Sequence, residues 1–264
     1  MKMPVLFIGH GSPMNIIADN GFTRSLVQLG KELPGPRAIL VVSANWLTDG
    51  TLVTCEDKPK TIHDFGGFPE ELYRIHYPSP GSPADARIIT EKVKTPPVIC
   101  STEWGLDHAS WAILTHLYPK ADIPVIEMSL DYSPYNGWNR KTLQYYYDLA
   151  KQLSFLREKN VLIIGSGNIV HNLRVADFEN TEAEPYDWAV EFDAQVKHNL
   201  QNRNHQALLD CRNLSRATSL SVPTLDHYLP MIFAIALQQK DDDLTFTYEG
   251  FQNASVSMRC FKIG

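Results

Sequence analysis

The chain has 264 residues, 44% of them hydrophobic, and a net charge of −6 with acids and bases interspersed. That length supports one large α/β core or two small ones, and the dispersed acidic charge argues against nucleic-acid or anionic-membrane partners. No apolar run is long enough to span a membrane, and the four widely spaced cysteines (Cys55, Cys100, Cys211, Cys260), with no CxxC pair, read as free buried thiols of a reduced, cytoplasmic protein.

Residues 3–8 form a short apolar run that ends in Gly9-His10-Gly11-Ser12-Pro13, a buried strand followed by a turn. Residues 14–31 read as helix, stopped by Pro34-Gly35-Pro36. Residues 37–44 are a central strand ending in Asn45-Trp46, and residues 51–55 a shorter one. The long loop 56–69 contains His63-Asp64-Phe65-Gly66-Gly67-Phe68, and loops of that length are often functional. A short helix (70–76) and a turn cluster (77–83) follow; the hydrophobic pattern resumes at once, so one domain, 1–264, is expected. Next come a helix (84–94), a strand (97–100), a turn carrying His108 into a helix that runs through Leu117, and a strand (123–130). Residues 136–159 read as the longest helix, with a packing patch at Tyr145, Tyr146 and Tyr147. A strand (160–165) leads into Ser166-Gly167-Asn168, where Gly167 would permit close backbone approach to a ligand. After helices at 186–201 and 206–211, His227 precedes a helix running to Gln239, and strands 244–248 and 255–261 alternate as a terminal antiparallel pair. Strands alternating with helices predict an α/β fold with a mixed sheet.

Five histidines stand on or beside turns: His10, His63, His108, His171 and His227. A lone histidine is more often a satisfied core or surface residue. Several at such turns point to a metal site, because imidazole suits zinc and iron, and strand ends are where α/β sheets bind ligands. His76, His116, His198 and His205 lack that context, and the last two are expected in solvent.

The motifs GHGSPMN, SANW, TIHDFGGFP, WGLDHASW, SGNIVHNL and PTLDHYLP, in this order along nearly the whole chain, resemble the class III extradiol ring-cleavage dioxygenases, in particular the bacterial and plant 4,5-DOPA type. The resemblance implies a single three-layer α/β/α sandwich with a mixed central sheet. It implies a non-haem Fe(II), with Zn(II) as the alternative in purified protein, and a DOPA-like catechol opened beside its diol by O2 to a muconic semialdehyde. By the same resemblance His10 and His227 match metal ligands. His171 matches an acid/base beside the metal that can also approach it, His108 a catalytic pocket residue, and His63 a substrate-side residue. Phe65 and Phe68 would pack on the ring and exclude water.

One position departs from the family pattern. Ser43-Ala44-Asn45-Trp46 stands where the family has Ser-Ala-His-Trp, so the second metal ligand becomes Asn45. Asn offers a neutral carbonyl oxygen, a harder and weaker donor than imidazole. Two readings follow: an impaired enzyme, or a site retuned with an oxygen ligand. A metal-poor, non-catalytic binding protein on the same fold is the alternative function. A zinc hydrolase ranks last, because no HExxH helix supplies a general base. Oligomeric state is not legible.

Overall fold

The computed structural model describes residues 2–133 and 140–264. The chain opens with β1 (Val5–Gly9), whose alternate side chains are buried on opposite faces: Val5 and Phe7 in one core cluster, Leu6 and Ile8 in the other. A 3-10 turn (Pro13–Ile16) precedes α1 (Gly21–Glu32), and β2 (Ala38–Thr48) and β3 (Thr51–Thr54) follow. Then come α2 (Pro83–Lys92), β4 (Val98–Ser101), α3 (His108–Leu117) and β5 (Val125–Asp131). Beyond them run α4 (Arg140–Lys151), α5 (Phe155–Glu158), β6 (Val161–Gly167) and α6 (Asp187–Gln201). The short helices α7 (His205–Leu209) and α8 (Thr218–Ser221) lead to the wholly buried α9 (Leu229–Ala236). Four strands close the chain: β7 (Leu244–Tyr248), β8 (Phe251–Gln252), β9 (Val256–Ser257) and β10 (Cys260–Ile263).

Eight strands form one sheet in the order β4-β3-β5-β2-β6-β1-β10-β7. β5, β2, β6 and β1 are parallel, β3 runs antiparallel to β5, and β10 runs antiparallel to both its neighbours, so the sheet is mixed as expected. Helices cover both faces. Phe22, Leu26 and Leu29 of α1 and Trp111 and Leu114 of α3 pack on Leu6, Ile8, Ile39 and Val41. On the other side Leu143 and Tyr146 of α4, Phe192 of α6 and α9 pack on Phe7, Leu40, Val42 and Ile163. Burial on both faces explains why the central strands read as continuous apolar runs. Among the described residues no helix is long and apolar enough to cross a membrane.

Several expectations need correction. The helix expected at 14–31 is split, because Asn20 makes a capping box: its side chain accepts from the Thr23 N–H at 3.0 Å and its own N–H donates to Thr23 Oγ1 at 3.0 Å. The helix expected at 136–159 breaks at residues 152–154, and its first four residues lie outside those described. β7 pairs with β10 rather than with residues 255–257. A left-handed turn at Asn253 and Ala254 folds residues 256–257 back onto β8, and Ser257 exchanges hydrogen bonds with Val170 O and Asn168 instead. Cys55 and Cys100 are not free thiols. Parallel pairing sets Val53 against Cys100 and Cys55 beside Ser101, so the two sulfurs meet in a disulfide with a Cα–Cα distance of 5.7 Å. Cys211 and Cys260 are free and buried, and burial pushes each thiol up to about 12.

At the sheet's far end Arg157, fully buried, donates to Met3 O, Leu237 O and Asp242 Oδ2 (2.6 Å), while Lys2 reaches Asp242 Oδ1 at 2.6 Å. Burial alone would raise the Asp242 carboxyl; hydrogen bonds from Arg157, Lys2 and the Gln239 N–H outweigh it and bring the group down to about 2. The Asp242 cluster therefore adds stability, on the order of 1–2 kcal/mol after discounting for solvent screening, that is present above pH about 4 and lost as pH falls through about 2. Urea unfolding of wild type and Asp242→Asn between pH 6 and 2 should show a gap that closes toward the acid end; a constant gap would contradict this.

A Cβ on Gly167 would lie 2.3 Å from His227 O. Gly167→Ala should therefore cost on the order of 1–3 kcal/mol by overpacking, whereas Gly35→Ala, with nothing within 4 Å, should be nearly neutral. Chemical denaturation of the two variants checks both.

Candidate active site

Parallel strands put their C-terminal ends on one edge of the sheet, and the site is assembled there. His10 leaves the end of β1 and His171 follows β6. Asn45 comes from within β2, where the register jumps. Val42 pairs with Met128 and Leu47 with Leu130, so residues 43–46 bulge out over Ser129. Such bulges re-aim side chains beside functional sites. His227 is brought in by the segment before α9. Gly165 and Gly167 have no side chains to block it, and Asn168 N–H donates to His227 O at 2.9 Å. Gly167 thus serves approach by the chain's own His227 rather than by a ligand.

The loop bearing residues 63–68 is stitched to the start of α3. Ile62 N–H donates to Leu106 O at 2.7 Å and Leu106 N–H to Lys60 O at 2.8 Å. This sets Asp64 at the N-terminus of α3, where a carboxylate is favoured. Its Oδ1 accepts from the His108 backbone N–H at 2.8 Å, and its Oδ2 accepts from His108 Nδ1 at 2.8 Å and Asn45 Nδ2 at 2.9 Å. Burial alone would raise the Asp64 carboxyl, but these donors hold it below the usual range. A carboxylate only accepts, so it fixes the Asn45 amide with nitrogen toward Asp64. The Asn45 Oδ1 is left buried without a hydrogen-bond partner. An orphaned buried acceptor costs about 1–3 kcal/mol unless something electropositive meets it.

The tautomers of two histidines follow from their neighbours. Ser166 Oγ gives its one proton to Ala109 O at 2.5 Å, so it accepts from His10 Nδ1 at 3.0 Å. His227 Nδ1 donates to Asp226 Oδ2 at 2.7 Å. Both rings therefore keep Nε2 free as a donor of electrons, the arrangement metal-binding histidines use. The ring centroids of His10 lie 5.3 Å from His227 and 5.6 Å from His108, and His171 stacks face to face on His227 at 3.5 Å. Burial, then the neighbouring histidines, hold His10 well below the ordinary histidine range. Burial, then His227, does the same to His171, so both are neutral near pH 7.

His10, Asn45, His108, His171, His227, Phe65 and Phe68 line one cavity of about 280 Å³, small beside common ligand sites of roughly 300–1,000 Å³. His63 does not line it. Its Nε2 donates to Ile75 O at 3.0 Å and its ring packs on Trp111, so it braces the loop from behind. Among the described residues no three His, Cys, Asp or Glu side chains are placed to hold a metal ion. What the site offers a cation is two imidazole nitrogens and the Asn45 carbonyl oxygen. His205, expected in solvent, is instead held between Tyr147 Oη (2.9 Å) and Gln238 Oε1 (3.0 Å).

Sequence reasoning missed the supporting residues. Asp64 and Asp226 each adjoin a named histidine, which was the available signal. Leu173 and Phe178, also on the cavity wall, carried none. Behind α3 lies a buried acid pair. Glu127 accepts from Trp104 Nε1 (2.9 Å), the Asp107 N–H (3.0 Å) and the Ser110 hydroxyl, and Ser43 Oγ donates to Asp107 Oδ2 at 2.6 Å. Burial, then Asp107, pushes Glu127 well above the usual carboxyl range, and burial, then the charge of Asp64, raises Asp107. The pair sits directly beneath Asn45 and His108 and ties both to the sheet.

Residues 5–256 match the family described as the catalytic LigB subunit of aromatic ring-opening dioxygenase. The chain is 43% identical to an Escherichia coli K12 protein named 4,5-DOPA dioxygenase extradiol, over 100% of this chain and 95% of that one. Proteins of the same name from Mirabilis jalapa and Beta vulgaris are 32% and 30% identical, over 89% and 97% of this chain and 86% and 94% of theirs. A crystal structure of an uncharacterized Escherichia coli K12 protein superposes with a TM-score of 0.84 at 37% identity, covering 100% of both chains. The family match over residues 5–256, with a relative 43% identical over the whole chain, places the chain in the LigB family of extradiol aromatic ring-opening dioxygenases.

Proposed function

We propose that the cavity binds a catechol and opens its ring beside the diol, both atoms of O2 entering a muconic semialdehyde product. The observation that carries this reading is the convergence of His10, His227, His171, His108 and Asn45 on one small, aromatic-walled cavity. Family membership supports the reaction class.

The donor set fits a divalent cation, Fe(II) or Zn(II). His10 and His227 would hold it through their free Nε2 atoms and Asn45 through the orphaned Oδ1, with His171 alongside. Bound there, Fe(II) would supply Lewis acidity toward the catechol hydroxyls and the electron exchange with O2 that side chains lack. The remaining work falls to the chain. His171, held neutral by burial, accepts a hydroxyl proton from the catechol. His108 spends Nδ1 on Asp64, so Nε2 is the atom it offers to substrate or oxygen. Phe65 and Phe68, edge to face at 5.4 Å, cover the ring and exclude water.

A second reading, a non-catalytic binding protein on this fold, is favoured by one observation: Asn45 leaves the site without three His, Cys, Asp or Glu ligands. Anaerobic loading with Fe(II), then catechol or DOPA and air, separates the two. Ring opening predicts one O2 consumed per catechol and a yellow product; full iron occupancy with no oxygen uptake on any catechol would move the binding reading to first place. Asn45→His should tighten metal binding on the order of 10–100-fold, and unchanged affinity and turnover would remove position 45 from the ligand set. His171→Gln should lower kcat by roughly 10²–10⁴-fold with KM little altered, if the ring moves a proton; steady-state kinetics at constant metal content would show this.

A further inference from the structure

We infer that the mouth of the cavity selects catechols bearing an uncharged, apolar substituent over the zwitterionic side chain of DOPA. This narrows the catechol reading above and rests on it. The histidines and Asn45 supply most of the polar lining of the cavity. The rest of the wall is dominated by Pro13, Phe65, Phe68, Leu173, Phe178 and Val256. Among the described residues that line it there is no Lys, Arg, Asp or Glu. The two carboxylates hydrogen-bonded to the site histidines, Asp64 and Asp226, are already engaged by His108, Asn45 and His227. A diol seated against the histidines leaves its ring substituent to the apolar part of the lining.

Leu173 and Phe178 belong to the segment between β6 and α6, and they remain 50% and 71% exposed while lining the cavity. Large apolar side chains left in water at the rim of a pocket gain by covering an apolar group. An ammonium or carboxylate placed against them loses water and finds no counter-charge among the described residues lining the cavity. Discrimination therefore resides at the rim, in binding, and not at the diol.

Anaerobic calorimetry on the Zn(II)-loaded protein tests this without turnover, using catechol, 4-propylcatechol, DOPA and 3-(3,4-dihydroxyphenyl)propionate. 4-Propylcatechol should bind on the order of 10-fold or more tighter than DOPA. Phe178→Ala should erase most of that ratio, and Phe178→Arg should favour the propionate. Equal or tighter DOPA binding, a ratio unmoved by both variants, or no binding of any catechol would overturn the inference. Oxygen uptake by the Fe(II)-loaded protein distinguishes the two levels. Selective binding without uptake refutes ring opening alone, and uptake with equal kcat/KM on DOPA and 4-propylcatechol refutes only the selectivity.

Discussion

The site is organised by the three hydrogen bonds that Asp64 accepts. Its carboxylate caps the start of α3, holds the His108 ring by Nδ1 and turns the Asn45 amide so that nitrogen faces it. Three stretches far apart in sequence, the β2 bulge, the 56–69 loop and α3, are locked together through one charged group. Charge-assisted hydrogen bonds of this kind are about twice as strong as neutral ones. The same bonds decide the chemistry on offer: one nitrogen of His108, and one oxygen of Asn45 that has no other partner. Losing Asp64 would free the amide to rotate and the loop's Phe65 to leave the histidines.

A second constraint is steric. The His227 segment reaches the sheet because β6 carries glycine at 165 and 167, where any side chain would collide with the backbone of Pro230 and His227. The remaining supports are polar groups buried beneath the histidines. Ser166 fixes the His10 tautomer, Asp226 that of His227, and the Asp107–Glu127 pair anchors the segments carrying His108 and Asn45. Buried acids are tolerated there because each accepts hydrogen bonds and burial shifts Glu127 toward its neutral form.

Much of this was legible in the sequence, for a physical reason. Central strands buried on both faces must be apolar, so β1, β2, β5 and β6 announced themselves, and turns bearing histidine at their ends marked the sheet edge where the histidines gather. Local hydrogen bonding was less visible. The Asn20 capping box split a helix that periodicity ran together. Features set by pairing between distant strands left no local trace at all. The Cys55–Cys100 disulfide depends on β3 lying parallel to β4, and the placing of Asn45 depends on a register jump against β5. His63 shows the limit of motif reasoning. It stands beside the residue that matters, Asp64, yet points away from the cavity. Leu173 and Phe178 sit in an irregular segment whose apolar residues have no period to betray them.

Asn45 is where sequence and structure meet most sharply, because it stands where the family resemblance implies a histidine and is held with an acceptor unsatisfied. X-ray absorption at the zinc edge, on protein loaded with one equivalent of Zn(II), tests its role directly. Two imidazoles and an oxygen donor in the wild type, rising to three imidazoles in Asn45→His, are the predicted spectra. Three imidazoles in both proteins would mean that His171 completes the site and that the orphaned oxygen of Asn45 holds nothing.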